Sequence, residues 1–225
     1  MNIVIITSVC NTINAPLTYT QNRSVFSWEQ RYQQLLETIK STRKHIPNSY
    51  IVLIEYSELK PDQEKCLESL CDVFHNTVGI LPADKIFSKW KGRGELTQMQ
   101  YVLDIMLPKI KMGNVKHIFK ISGRYKFGNN FDYKLYDNDK LIFKKIKGNI
   151  QNIYTAMFKI PYKYLDKFTR FICDPTNQHS IVSIYKGSYE TFMAKFVTDN
   201  ISDVKFLYPL GVEGKVSVCG SQHFG

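Results

Sequence analysis

Residues Asn2–Val9 (NIVIITSV) and Tyr50–Tyr56 (YIVLIEY) are apolar at almost every position rather than at every second one. A strand of that kind has both faces buried, which is the situation of a strand inside a parallel sheet covered by helices on each side. Between the two runs, Ser27–His45 carries Trp28, Tyr32, Leu35, Leu36 and Ile39 at helical spacing, with Ile46 just beyond. Its ends are marked: Ser27 and Gln30 form a capping box, Glu29 sits in the first turn, Lys40, Arg43 and Lys44 lie toward the end, and Pro47 stops it. Further along, the pattern predicts a short helix from Pro61 to Cys71, a strand over Asp72–His75, a long helix over Gly94–Ile110 interrupted near its end by Pro108, and a strand over Lys116–Ser122. Strand and helix in alternation imply right-handed crossovers and an α/β fold: a Rossmann-like, mostly parallel sheet with helices on both faces.

After Gly123 the pattern becomes mixed. Leu141–Lys145 and Asn152–Phe158 read as neighbouring strands, Lys163–Ile172 and Ser188–Val197 as helices, and Val204–Tyr208 as a last short strand. No repeat, low-complexity tract or Pro/Gly/Ser linker divides the 225 residues, so residues 1–225 read as a single domain. With 44% hydrophobic and 22% charged residues the chain is far from the composition of a disordered segment.

The formal charge of +10 points to anionic partners: nucleic acid, phosphorylated small molecules or acidic membranes. The opening MNIVIITSVCN lacks a basic leader, its apolar run breaks at Thr7 and Ser8, and no run reaches the ~20 residues of a membrane span, so the expected location is cytoplasmic, with membrane contact left open. Five scattered cysteines form neither a disulfide framework nor a CxxC pair, and Cys66 and Cys71 share one face of the Pro61 helix with Leu67 and Leu70 as ordinary buried thiols. His45, His75, His117, His179 and His223 show no metal-ligand spacing, and no nucleophile elbow is present.

Ligands of an open parallel sheet bind where its strands end. Thr7 and Ser8 close the first strand, and Arg23 lies in the loop after it, placed for a phosphate or a base. Arg31, inside the following helix, reads as a helix-face ion pair. Lys89-Trp90-Lys91-Gly92-Arg93-Gly94 sets cations and glycines just before a helix that continues with Glu95, which suits a phosphate at the helix start, or else is a solvated basic loop. Lys120, Ser122, Gly123, Arg124 and Lys126 cluster at the end of the Lys116–Ser122 strand. Arg124 offers a planar fork for phosphate oxygens, the alternative being surface pairs of these cations with Asp132 or Asp137. Carboxylates available as a general base are Glu213, between Gly211 and Gly214, then Glu190 and Asp132.

Taken with MNIVIITSV, NRSVFSWEQRYQQLLETIKSTRKHIPNSYIVLIEYSE, KGRGELTQ, FKISGRYKFGNNFD and LGVEGKVSVCG, these residues give the chain a resemblance to GT-A glycosyltransferases, the nucleotide-diphospho-sugar transferases. The resemblance spans most of the chain as an ordered set of loose motifs. It implies that residues 1–125 bind the nucleotide and residues 126–225 form the acceptor side. The donor would be a UDP- or GDP-sugar, the acceptor a glycan or small molecule, and the setting glycan or surface polysaccharide synthesis. Such enzymes usually fix a manganese or magnesium ion with Asp-x-Asp after a central strand. Here that place reads Ser122-Gly123-Arg124, so no cofactor is required by the sequence, and Lys91, Arg93, Lys120, Arg124 and Lys126 stand in as neutralising cations. The rival readings are a basic nucleic-acid-binding module, disfavoured because no known nucleic-acid motif is present, and an inactive nucleotide- or sugar-binding relative.

Overall fold

The most apolar strand takes the middle of the sheet. In the computed structural model, which describes residues 1–13, 16–110, 113–184 and 188–224, all seven residues of β1 (Asn2–Ser8) are buried. Parallel neighbours flank it: β2 (Ser49–Glu55) on one side and β4 (His117–Ser122) on the other. The strand β3 (Val73–Asn76) extends the parallel half beyond β2. On the far side of β4 the sheet turns mixed. β9 (Met157–Pro161) runs antiparallel to both β4 and β6 (Leu141–Phe143), and β10 (Val204–Phe206) lies parallel to β6 at the edge. The order is β10-β6-β9-β4-β1-β2-β3.

Alternation along β1 divides the core in two. Ile3 and Ile5 join a cluster that includes Leu96, Met99, Phe158, Phe168 and Phe192, whereas Val4 and Ile6 join one that includes Leu35, Ile39 and Phe119. The second cluster is covered by α1 (Trp28–His45), whose capping box is present as predicted: Gln30 N donates to Ser27 Oγ at 3.3 Å and Ser27 N to Gln30 Oε1 at 2.9 Å. A short helix α2 (Pro61–Leu70) also lies on this side, burying Leu67, while Cys66 and Cys71 are only partly buried and remain free thiols.

The long central helix differs from its predicted form at both ends. It begins at Lys91, three residues early, as α4 (Lys91–Tyr101), so the glycine-rich stretch is its first turn and not a preceding loop. Beyond Tyr101 the coil widens to a π-turn over Val102–Met106 and tightens to a 3-10 turn over Leu107–Lys109. Pro108 is the cause, since it has no amide to donate and its ring crowds the carbonyl four residues back. Glycine at position 94 has a packing reason. A Cβ there would lie 2.6 Å from the carbonyl oxygen of Ile86, the last residue of α3 (Ala83–Ile86).

The single strand expected over Asn152–Phe158 is broken in two. β8 (Asn149–Ile153) pairs with β7 (Lys145–Ile146) as a hairpin, and β9 joins the main sheet. Helices α5 (Leu165–Cys173) and α7 (Tyr189–Asp199) match expectation, and a further helix, α6 (Pro175–Ser183), joins them. A second sheet was not foreseen: β5 (Tyr125–Phe127), β11 (Val212–Lys215) and β12 (Gln222–Phe224) pair antiparallel in the order β12-β11-β5. These strands are three or four residues long, too short for hydrophobic periodicity to declare them.

Replacing Gly94 by alanine forces a methyl against backbone. The expected cost is about 1–3 kcal/mol, read as a lowered melting temperature by circular dichroism; an unchanged melting temperature would show that α3 can move aside.

Candidate active site

The carboxyl ends of β1 and β4 meet in register, Thr7 opposite Ser122. Gly123 N then donates to Thr7 O at 2.9 Å, which carries the chain across the end of β1. Only glycine passes there, because a Cβ would lie 2.8 Å from Ser8 Cβ and 2.9 Å from Leu35 Cδ1.

Above this crossing are two adjoining cavities. An inner recess of about 80 Å³ is bounded by Thr7, Ser8, Arg23, Arg31, Gln98 and Ser217, among others. A larger cavity of about 490 Å³ extends outward past Trp90, Tyr154, Thr155, Tyr189 and Glu190. Lys91, Glu95, Ser122 and Arg124 line both, so the first turn of α4 and the exit of β4 form their common wall.

Below the wall lies Lys120. The side chains of Lys120 and Ser122 point to the same face of β4, toward α4, and Lys120 is completely buried. Its ammonium donates to Ser122 Oγ at 2.8 Å, to Thr155 O at 2.7 Å and to Glu95 Oε1. Burial pulls the Lys120 pKa down while Glu95 pulls it up. The residue is therefore neither a phosphate contact nor a partner of Asp132 or Asp137. It is the anchor of the cavity floor, and it engages the carboxylate of Glu95.

The remaining cations are held mainly by neutral groups. Arg23 donates from Nη2 to Phe87 O at 2.7 Å and Ser88 O at 2.5 Å, clipping the loop after β1 to the approach of α4. Arg31 is buried rather than paired on the helix surface: Nε donates to Val9 O at 2.9 Å and Nη1 to Ser217 Oγ at 3.2 Å. Burial, with Arg124 nearby, brings its pKa down to about 10. Arg124 lies over the Tyr125 ring at 5.2 Å, and its buried Nε has no hydrogen-bond partner among the described residues. Lys91 is brought down to about 7 by burial and by repulsion from Arg124 and Arg31, against the opposing pull of Glu95 and Glu190. The start of α4 has no side-chain cap, so an uncapped helix N-terminus adds to the same positive field. Glu190, which accepts from Ser188 Oγ at 3.3 Å, lines the outer cavity and forms no ion pair among the described residues.

Four predicted site residues lie elsewhere. Glu213 and Lys126 are cross-strand partners in the small sheet, where Lys126 Nζ is 3.2 Å from Glu37 Oε2 and 3.9 Å from Glu213 Oε1, so both face α1. Asp132 is exposed and caps a 3-10 turn by accepting from Lys134 N at 2.9 Å. Arg93 follows Lys91 by two positions, about 200° around the helix, and faces α6 in a groove with Pro175 and His179. Conversely, Gln98, Thr155 and Ser217 escaped the sequence reading, and Arg31 was placed on the helix face rather than at the site. Arg31 carried a signal, for it is three residues after Trp28 and four before Leu35, on the inward stripe of its helix. Gln98, which donates to Ser8 O at 2.8 Å, likewise adjoins Met99 in the buried part of α4.

The place after β4 does not suit a divalent cation. It presents a guanidinium over a buried ammonium, the nearby Glu95 is already engaged, and the described residues include no cluster of three or more His, Cys, Asp or Glu able to hold a metal.

No protein-family model matches the sequence, and no curated protein matches it significantly. Solved structures do match the fold. GlyE, a glycosyltransferase of Streptococcus pneumoniae, superposes with a TM-score of 0.52 at 8% identity over 92% of this chain and 45% of GlyE, so the chain spans less than half of that protein. Mouse xyloside xylosyltransferase 1, in its apo form, gives a TM-score of 0.51 at 8% identity over 92% of this chain and 85% of its own. The chain thus has a Rossmann-like fold resembling that of GT-A glycosyltransferases, as the sequence motifs suggested.

Lys120→Ala should destabilise the protein by about 3 kcal/mol or more, because it leaves Glu95 without its counter-ion and opens a void; Lys120→Met with Glu95→Gln should cost clearly less. Urea unfolding of the two variants checks this, and equal losses would show that the pair contributes packing alone.

Proposed function

We propose that this protein transfers a sugar from a nucleotide-sugar donor, UDP- or GDP-linked, to an acceptor hydroxyl in glycan or surface polysaccharide synthesis, with fixed cations in place of a metal ion. One observation carries the reading: Arg23, Arg31, Lys91 and Arg124 converge on a cavity at the carboxyl ends of β1 and β4, and the one acid on their common wall, Glu95, is tied to Lys120. Breaking the glycosidic bond to the diphosphate leaves its electron pair on a phosphate oxygen. Cations already aimed at that oxygen lower the barrier without having to reorganise. Arg124, held against Tyr125 with an Nε that has no partner among the described residues, is the group best placed to meet it, and Lys91 at the uncapped start of α4 is the second. Glu190, in the outer cavity, is the carboxylate available to accept the proton of the incoming hydroxyl. The fold shared with solved glycosyltransferases supports the reading.

A panel of UDP, GDP, CMP and ADP and their sugars, read by thermal shift and calorimetry, tests it. The expected result is stabilisation by one nucleoside diphosphate, equal in the presence of EDTA, manganese or magnesium. No stabilisation by any of them would remove the proposal, and stabilisation only with metal would remove its metal-free form. Arg124→Ala should lower turnover by about 100-fold or more with the fold retained.

Lys91 adds a pH signature. Its ammonium is the anion-binding form and is lost as pH rises through about 7, so affinity for the diphosphate should fall between about pH 6 and about pH 9. Lys91→Arg, which stays charged across that range, should flatten the dependence. A pH profile identical in the variant would assign the effect to another group.

A further inference from the structure

Next to the donor cavity is a second hollow that the proposed chemistry does not use. It has a volume of about 790 Å³, within the range of small-ligand sites, and lies between the β7–β8 hairpin and the end of β10. Ile146 and Tyr154 line both hollows, so the two adjoin. Its charge comes from Lys144, Lys145 and Lys147, and no acidic residue is among the described residues that line it.

The lysines are set against aromatic rings. Lys144 is buried, with Nζ 4.3 Å from the centroid of Tyr208 and 5.5 Å from that of Tyr154, and Lys145 Nζ is 4.2 Å from that of Phe206. Lys147 and Gly148 form the two-residue turn of the hairpin with φ of 49° and 75°. Such a turn favours Asn or Gly at both positions, yet here its first residue is an exposed lysine in left-handed backbone. Tyr208 is 84% exposed and leaves a broad apolar ring open at the rim.

We infer that the acceptor is an anionic saccharide, whose acidic groups meet Lys144, Lys145 and Lys147 and one of whose rings stacks on Tyr208, so that its reacting hydroxyl is carried past Tyr154 toward the donor. This rests on the transferase reading above. A single exposed ring beside lysines suits a sugar, which offers one apolar face and one charged substituent per unit. The hollow is concave, whereas a bilayer surface would need a flat or protruding basic patch. Successive bases of a nucleic acid would need a series of stacking platforms.

The test is calorimetric binding of hexagalacturonate and a sulfated heparin hexasaccharide to the full chain, with fully methyl-esterified hexagalacturonate as the neutral control and UDP and GDP titrated in parallel. Expected are binding of at least one acidic hexasaccharide about ten times tighter than the ester, and a tenfold or larger loss in both Lys145→Ala/Lys147→Ala and Tyr208→Ala, with Tyr208→Phe close to the parent. Equal affinity for the neutral ester, binding of neither acidic probe, or indifference to these substitutions would each overturn the inference. So would tighter binding of a hexathymidylate, or of phosphatidylserine vesicles, through the same lysines. If UDP or GDP binds while both acidic saccharides fail, the acceptor assignment alone falls. If neither nucleotide binds, the transferase reading falls first.

Discussion

An ammonium in the interior of a seven-stranded sheet needs acceptors on every side or it loses its charge, and Lys120 has them from three separate parts of the chain. Glu95 comes from α4, Thr155 from the segment leading into β9, and Ser122 from the end of β4 itself. Those three segments are also walls of the cavity, so one buried charge holds the helix, the mixed strands and the parallel strands in fixed relation. A well-packed apolar residue at position 120 could give as much stability. What it could not do is tie up the carboxylate of Glu95, which would otherwise face an incoming diphosphate with the wrong sign.

The arginines follow the same logic by another route. Arg23 and Arg31 are anchored on backbone carbonyls and a serine hydroxyl, so their orientation is fixed while their charge stays unneutralised. Both consequences matter for charge developing on a leaving group, since a cation that is already aligned and poorly hydrated interacts more strongly than one recruited from solvent. Burial first, and then the crowding of these cations, depresses the Lys91 ammonium, and an anion in the cavity relieves the repulsive part.

The parallel half of the fold was legible because its strands are buried on both faces and its first helix is capped by its own side chains; β1, β2 and α1 are found within a residue or two of their predicted limits. The small sheet was not, since β5, β11 and β12 owe their existence to pairing between distant segments rather than to local pattern. That gap misdirected the site reading. Glu213 looked like a free carboxylate between glycines and Lys126 like a cation of the phosphate cluster, and their cross-strand pairing shows only once the sheet is assembled. Lys120 was recognised as important with the wrong role, because a strand's alternation tells which side a residue faces but not how deeply the helix opposite covers it. Arg31 stood on the inward stripe of its helix, and a cation at such a place has to be satisfied internally, a clue that periodicity alone could have supplied.

The net charge of +10 gains meaning from where its opposing acids sit. Asp72, Asp137, Asp139, Asp199 and Asp203 are engaged in ion pairs with Arg43, Lys116, Lys163, Lys195 and Lys140, all of them away from the two hollows. Exposed pairs of this kind contribute little to stability. Their effect is on the field. The donor cavity and the groove beside it are each lined by several cations, and low-dielectric walls focus their potential there. A multiply charged donor and an acidic acceptor would thus be drawn to adjoining places by one distribution, and screening by salt at ordinary ionic strength, with a reach of about 8 Å, would weaken capture at the open groove more than binding in the buried recess.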